Sequence, residues 1–198
     1  MTPIGGGSSW RREEGMGVVV LESLDSALGR GAAIYCEMAW YGATCDVHHI
    51  TTPTPRGRGL AAAMEIVIAQ GNMEKEDVNY VNAHGIATAY NDKFETMALN
   101  SVCGEHATRK DGRLVVSSTK GVTGHTLGAA GGLEAIIAAR SIQDGVVPPT
   151  VIMTGQLPSV IWTMSQIKKR EMEVNGSMST NLGFGDHNAV ILFKKYVK

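Results

Sequence analysis

Short apolar runs rich in β-branched residues alternate with longer segments of helical periodicity, and this alternation constrains the fold more than any other feature. Strand-like runs span 16–22, 32–43, 78–83, 113–117, 176–181 and 188–193. Helical spacing or small aliphatic residues mark 23–30, 59–70, the segment from 91 or 92 to 102, and 126–142. The alternation predicts a layered α/β domain with a mixed, mostly parallel sheet covered by helices.

The chain is expected to form one domain over 15–198, after a flexible lead-in over 1–14. The lead-in is rich in glycine and serine and then charged, a composition typical of flexible segments. Hydrophobic residues make up 43% of the 198 residues, which is enough for a core. Prolines and glutamines interrupt the uncharged stretch 145–167, so no membrane-spanning helix is expected there.

Charge and cysteine usage exclude several classes of function. The 18 basic and 19 acidic residues nearly cancel, so no basic field would hold nucleic acid or an anionic membrane. Cys45, His48 and His49 lie close together but lack a second ligand pair, so no metal site is predicted. Three unpaired cysteines and the absence of a signal peptide favour a reduced compartment, the cytoplasm, with an organelle matrix as the alternative.

Reactive or glycine-rich sequence follows three of the predicted strands. His84 follows the third, Lys120 and His125 follow the fourth, and the Gly183–Gly185 turn follows the fifth. Because ligands bind beyond the carboxyl ends of strands in α/β folds, these residues are expected to meet in one pocket.

A pair of histidines there suits a reaction that develops negative charge on a carbonyl oxygen. An imidazole at a helix N-terminus, as predicted for His125, stays neutral and donates a hydrogen bond. Lys120 would need counter-charges if it were buried, and acidic residues on neighbouring helices supply them: Asp92, Glu95 and Glu134. The alternatives are packing histidines, a solvated lysine and a simple turn at Phe184.

Four blocks of sequence at these positions closely resemble one enzyme family. The blocks are VNAHGIAT, VSSTKGVTGHTLGAAGGLEA, VVPPT and NLGFGDHNAVILFKK, in that order. They are similar to the C-terminal half of the decarboxylating β-ketoacyl-[acyl-carrier-protein] synthases, the elongating condensing enzymes of the thiolase superfamily. The resemblance runs from about residue 14 to 198 and is weaker over 152–177. It implies one half of a thiolase-like fold.

The resemblance also implies roles for individual residues. His84 and His125 match the histidines that hold the malonyl thioester oxygen, and Phe184 matches the residue whose amide completes the oxyanion hole. Lys120 matches the structural lysine, with Asp92, Glu95 and Glu134 as its acidic network. Thr51 and Thr88 match polar residues near the phosphopantetheine arm of acyl carrier protein. No cofactor is implied, because the carrier protein itself delivers the substrates.

Departures from the family pattern point to altered or absent activity. The half of the family chain that carries the nucleophilic cysteine is missing, and none of the three cysteines replaces it. Ile86 and Ala87 stand where threonine and serine are usual, and Asp186 stands where glycine is expected. A carboxylate beside the oxyanion hole would oppose the negative charge that develops there.

Three interpretations follow. The chain is half of a fatty-acid elongating synthase and inactive alone, a non-catalytic ketosynthase-like subunit that binds a partner or acyl carrier protein, or a generic domain for an acyl-CoA-like ligand. Because segment 126–142 is apolar nearly all round, it is expected to be buried against an N-terminal ketosynthase half or a second copy of the chain.

Overall fold

The computed structural model describes residues 12–108, 114–151, 163–164 and 168–197, in which strands and helices alternate. The strands are β1 (Glu37–Cys45), β2 (Val78–Asn82), β3 (Val115–Ser117), β4 (Val146–Val147), β5 (Thr163–Met164), β6 (Arg170–Glu171), β7 (Gly176–Gly183) and β8 (His187–Lys194). The helices are α1 (Leu24–Gly29), α2 (Arg58–Gln70), α3 (Ala89–Cys103), α4 (Glu105–Thr108), α5 (Lys120–Thr123) and α6 (Ala130–Asp144).

The main sheet is mixed and mostly parallel, as predicted. Its strand order is β1-β8-β7-β2-β3-β5; β7, β2, β3 and β5 run parallel, whereas β1, β8 and β7 pair antiparallel. Strands β4 and β6 form a separate two-stranded sheet. Asn82, the last residue of β2, pairs with Ser117 of β3 and Ser179 of β7, so the carboxyl ends of these three strands are neighbours.

Helices cover both faces of the sheet because successive strand residues point to opposite sides. On one face, Val81 belongs to a core that includes Leu60 and Met64 of α2 and Leu99 of α3. On the other face, the adjacent Tyr80 packs in a second core with residues of α6, Ala135, Ala138 and Ile142. The result is a three-layer α/β/α arrangement.

Local sequence signals fix the ends of the helices. The Ser23 side chain accepts a hydrogen bond from the Ser26 amide at the start of α1, and Gly31 follows its end at a φ of +67°. Helix α2 ends at Gln70 with Gly71 as its cap. Both helices match their predicted ranges closely.

The strand predicted over 16–22 does not form. Within the described chain, the bridge nearest to this segment is the isolated one between Arg12 and His125, and residues 16–22 themselves form none. Met16 and Val20 are 78% and 85% exposed, and Val18, Val19 and Leu21 are also exposed. The apolar run has strand composition, but a strand needs a neighbouring strand to satisfy its backbone, and no described strand borders it.

This exposed segment covers part of α6. The helix is therefore only partly buried, whereas the sequence predicts that it is buried nearly all round. A Cβ on Gly17 would lie 2.4 Å from the carbonyl carbon of Gly132, so the two backbones are in direct contact. Leu133, Ile136 and Ile137 are half-buried rather than fully buried.

Element boundaries differ from prediction at several places. The strand predicted from residue 32 begins at Glu37, and the helix predicted from 91 or 92 begins at Ala89, after Thr88. The long helix begins at Ala130 rather than residue 126. Residues 1–11 of the expected lead-in and Arg113 lie outside the described residues. In the described part of the chain, no helix has the length and apolarity needed to cross a membrane.

Candidate active site

A cavity of about 610 Å³ opens beyond the carboxyl ends of β2, β3 and β7. His84, His125 and Phe184, predicted to meet there, all line it. Thr51 and Thr88 line it too, as does Ile86. The topology brings these residues together because β2 lies between β3 and β7.

The two histidines form the centre of the site. Their rings meet edge to face, with centroids 5.4 Å apart, and both residues are buried. The Leu127 amide donates a 3.2 Å hydrogen bond to Nδ1 of His125, so the proton of the neutral His125 ring is on Nε2. Nδ1 of His84 lies 3.4 Å from Oδ1 of Asn181.

Glu95 holds the backbone at His84. Its carboxylate accepts hydrogen bonds from the amides of His84 (2.8 Å) and Gly85 (2.9 Å) and from the Thr180 hydroxyl (2.8 Å). Burial raises the pKa of Glu95, and these donors and the charge of Lys120 act in the opposite direction. Glu95 therefore joins α3, the end of β2 and the end of β7 at one point.

Lys120 is buried behind the histidines and pairs with Glu134 of α6. Burial raises the pKa of Glu134, although the charge of Lys120 and their hydrogen bond lower it. The predicted burial and the predicted contact with Glu134 are both observed. Glu95 interacts with Lys120 through longer-range electrostatics, and buried Asp92 accepts a 3.2 Å hydrogen bond from Asn91.

Burial and Lys120 keep both histidines neutral. Burial is the main cause that lowers the pKa of His84, and the charges of Lys120 and His125 lower it further. Burial and then Lys120 lower the pKa of His125 to about 4. A 3₁₀ turn over Leu127–Ala129 follows His125 and leads into α6 at Ala130, so the imidazole lies just before a helical N-terminus, as predicted.

We expect the histidines to make the protein less stable in acid. Because their folded-state pKa values lie below the unfolded value of 6.5, the unfolded chain binds more protons as the pH falls from 6.5 toward 4. The contribution of the neutral histidines to the free energy of unfolding is therefore fully present above this pH window. It is lost as the pH falls through the window. Urea unfolding at about pH 7.5 and about pH 5 should show a smaller pH dependence for His84→Asn and His125→Asn than for the wild type.

The control is Asn72→Gly, which changes an exposed side chain that is not titratable and does not line the pocket. This variant should keep the wild-type pH dependence. An equal acid-induced loss in wild type and both pocket variants would contradict the prediction.

Phe184 lies in the tight turn between β7 and β8, and its ring is exposed at the cavity. Its backbone N–H has no hydrogen-bond acceptor among the described residues. The turn also holds Gly185 and Asp186, at φ values of +83° and +67°. A free amide at this position can donate to a developing oxyanion.

The cysteines do not take part in this pocket. None of Cys36, Cys45 and Cys103 lines it. Burial raises the pKa of both the Cys36 and Cys103 thiols to about 11, which disfavours the thiolate form. The described residues hold no group of three or more histidine, cysteine or acidic side chains arranged for a metal ion.

Sequence reasoning missed Thr180 and Asn181. Both lie near the carboxyl end of β7, where Thr180 binds Glu95 and Asn181 faces His84. The strand-end rule that selected His84 could have selected them, because their strand runs directly into the glycine-rich turn.

The arrangement matches a known family of proteins. A family model described as "Beta-ketoacyl synthase, C-terminal domain" matches residues 35–154, more than half of the chain. The chain belongs to the β-ketoacyl synthase family. The matched range includes His84, Lys120 and His125, so the generic-domain interpretation is no longer needed.

Individual members of the β-ketoacyl synthase family are similar over most of the chain. The 3-oxoacyl-[acyl-carrier-protein] synthase 2 of Staphylococcus aureus strain COL is 44% identical over 183 residues, which cover 92% of this chain and 43% of the relative. The solved ishigamide ketosynthase/chain length factor has a TM-score of 0.82 at 32% identity, over 89% of this chain and 42% of that one. A type II PKS acyl-carrier protein in complex with its ketosynthase, bound to the hexaketide, gives a TM-score of 0.82 at 26% identity over the same shares.

These ketosynthases share the thiolase-like fold of this chain. The chain spans less than half the length of the relatives it matches.

Proposed function

We propose that this chain is the C-terminal half of a 3-oxoacyl-[acyl-carrier-protein] synthase and provides the malonyl-binding side of a decarboxylative condensation in fatty acid biosynthesis. The observation that carries the proposal is the buried, neutral pair of His84 and His125 in one pocket with Phe184. Similarity to the 3-oxoacyl-[acyl-carrier-protein] synthase 2 of Staphylococcus aureus supports the reaction class.

In the proposed reaction, the histidines stabilise an enolate. The malonyl thioester oxygen accepts hydrogen bonds from the imidazoles, and the ring proton of His125 is on Nε2. When the bond between the α-carbon and the carboxylate carbon breaks, CO2 leaves. The electron pair of the broken bond stays on the thioester fragment and forms the enolate. The enolate carbon attacks an acyl thioester carbonyl, a carbon–carbon bond forms, and a thiolate leaves. The Phe184 amide stabilises the oxyanion of that second step.

Lys120 has a positioning role in this proposal. It is buried in its pair with Glu134, and its charge lowers the pKa of both histidines. An imidazole kept neutral stays a hydrogen-bond donor and does not take a proton from the medium at neutral pH. Lys120 itself transfers no proton.

The chain alone is proposed to catalyse no condensation. The acyl group would be held on a cysteine of the complementary N-terminal half, and no cysteine of this chain lines the pocket. The partners are therefore an N-terminal ketosynthase half and acyl carrier protein, consistent with the carrier complex among the structural neighbours.

The phosphopantetheine arm of the carrier protein would pass Thr51 and Thr88, which line the cavity. No further cofactor is required, and the cytoplasm is the proposed compartment.

The second candidate function is a non-catalytic ketosynthase-like subunit. Ile86 favours it, because an apolar side chain lines the cavity at the position where the resemblance implies a threonine. Such a subunit would bind its partner without binding malonyl thioesters.

Titration with malonyl-pantetheine, a soluble substitute for the loaded carrier protein, distinguishes the two functions. We expect it to shift the NMR signals of both His84 and His125 in the wild type, and binding to be weakened by His84→Ala. The control Glu171→Gln, which changes an exposed side chain away from the pocket, should bind as the wild type does. Perturbation of neither histidine would contradict the malonyl-binding proposal.

A condensation assay tests the need for the complementary, cysteine-bearing half. The chain alone should form no 3-oxoacyl product from malonyl- and acyl-carrier protein, and product should appear when the cysteine-bearing half of the Staphylococcus aureus relative is added.

A further inference from the structure

Asp186 holds the loop that forms one wall of the pocket mouth. We define the mouth loop as residues 46–54, between β1 and the turn before α2. Oδ2 of Asp186 accepts hydrogen bonds from the backbone amides of His48 and His49, the latter at 2.8 Å. Asp186 itself lies outside this loop, in the turn between β7 and β8.

Backbone hydrogen bonds make the same connection in both directions. The Asp46 amide donates to the Asp186 carbonyl at 2.9 Å, and the Gly185 amide donates to the Ile50 carbonyl at 2.8 Å. The carboxylate of Asp46 joins the two ends of the loop, because it accepts a hydrogen bond from the Thr54 amide at 2.8 Å. It also accepts a hydrogen bond from the Asn188 side chain of β8 at 2.9 Å.

The backbone of Asp186 is strained, and the hydrogen bonds that its carboxylate accepts offset this strain. Asp186 adopts a φ of +67°, where a residue with a Cβ is strained and glycine is not. A carboxylate that accepts two backbone N–H groups gains charge-assisted hydrogen bonds, which are stronger than neutral ones. The same donors compensate its charge, so the conflict with the oxyanion hole expected from the sequence is reduced.

We propose that Asp186 is a positioning residue that fixes the mouth loop against the β7–β8 turn and thereby sets the width of the entrance for a pantetheine thioester. The loop carries Thr51 and the turn carries Phe184, and both line the cavity. Only the identity of the entering ligand rests on the proposed function. The attachment of the loop rests on the hydrogen bonds alone.

Three substitutions separate the carboxylate from the backbone strain. Asp186→Ala removes the acceptor and keeps a Cβ at positive φ, whereas Asp186→Gly removes the acceptor and also the strain. Asp186→Asn keeps one acceptor oxygen and tolerates positive φ, so it should rescue the loop in part. Asn72→Gly is the matched control, because Asn72 also has a positive φ, +50°, but does not line the pocket.

Hydrogen exchange at the His48 and His49 amides is the decisive measurement. We expect exchange to be faster by roughly ten-fold or more in Asp186→Ala and Asp186→Gly, and only by about two- to five-fold in Asp186→Asn. The melting temperature of Asp186→Gly should change little, because relief of strain offsets the lost hydrogen bonds. Unchanged exchange at both amides in the alanine and glycine variants would overturn the proposal.

Malonyl-pantetheine affinity tests the entrance itself. Asp186→Gly should bind more weakly by roughly five-fold or more despite its unchanged melting temperature, with partial rescue by Asp186→Asn. Wild-type affinity in a glycine variant with a loosened loop would overturn the role in ligand entry. If the wild type binds no malonyl-pantetheine, the proposed function fails, and the exchange rates still decide whether Asp186 holds the loop.

Discussion

Glu134→Gln should destabilise the protein by about 3–5 kcal/mol, because it leaves the buried ammonium of Lys120 without its counter-charge. Both side chains of this pair are almost completely inaccessible to solvent. Lys120→Met should cost less at low pH, since burial already raises the pKa of Glu134 and the carboxyl group can take up a proton. The cost should grow as the pH rises and protonation of Glu134 becomes less favourable.

Urea unfolding of the two single variants and of Lys120→Met/Glu134→Gln measures this coupling. The double variant should be less destabilised than the sum of the single variants, because neither partner is then buried with an uncompensated charge. Glu171→Gln, which breaks an exposed pair with Lys169, is the control and should leave stability unchanged. Additive effects of the single substitutions would show that the two residues are not energetically coupled.

A second large effect is expected from the apolar segment 16–21. Val18 and Val20 are 70% and 85% exposed, and the segment lies against α6, whose Ile136 and Ile137 are half-buried. A contiguous apolar surface of this kind is rare in soluble monomers. We therefore expect the purified chain to sediment as a dimer or larger species at micromolar concentration.

Val18→Lys/Val20→Lys should shift the chain toward monomer, because charged residues oppose burial of the segment. Val197→Lys is the control, since Val197 is exposed to a similar degree, 79%, near the other end of the chain. A wild-type monomer that binds no dye specific for apolar surface would contradict the prediction. If an added N-terminal ketosynthase half dissociates the dimer, that half is the preferred partner of this surface.

The sequence predicted the parts of the fold that depend on local signals. Helix α2 lies where the spacing of Leu60, Met64 and Val67 places it, and β7 and β8 match their apolar runs. The meeting of His84 and His125 followed from strand ends alone, because parallel neighbouring strands bring their carboxyl ends together.

The errors occur where structure depends on distant neighbours. The composition of an apolar run such as 16–22 indicates strand propensity. It does not indicate whether the fold provides a neighbouring strand with which the run can pair. The contact of Asp186 with the mouth loop joins residues 137 positions apart, and no local pattern indicates it. The sequence suggested only that Asp186 would disturb the site. The structure shows donors that compensate its charge.

The links that build the pocket span most of the chain, with consequences for folding kinetics. Glu95 and Thr180 are 85 residues apart, and His84 and Asn181 are 97 residues apart. Contacts of such high sequence separation form late and slow the search for the native topology, because the entropy of closing long loops must be overcome first. The pocket is therefore complete only in molecules whose sheet is fully assembled. A ligand would bind only the molecules whose pocket is complete. By mass action, its binding would stabilise the entire chain against unfolding.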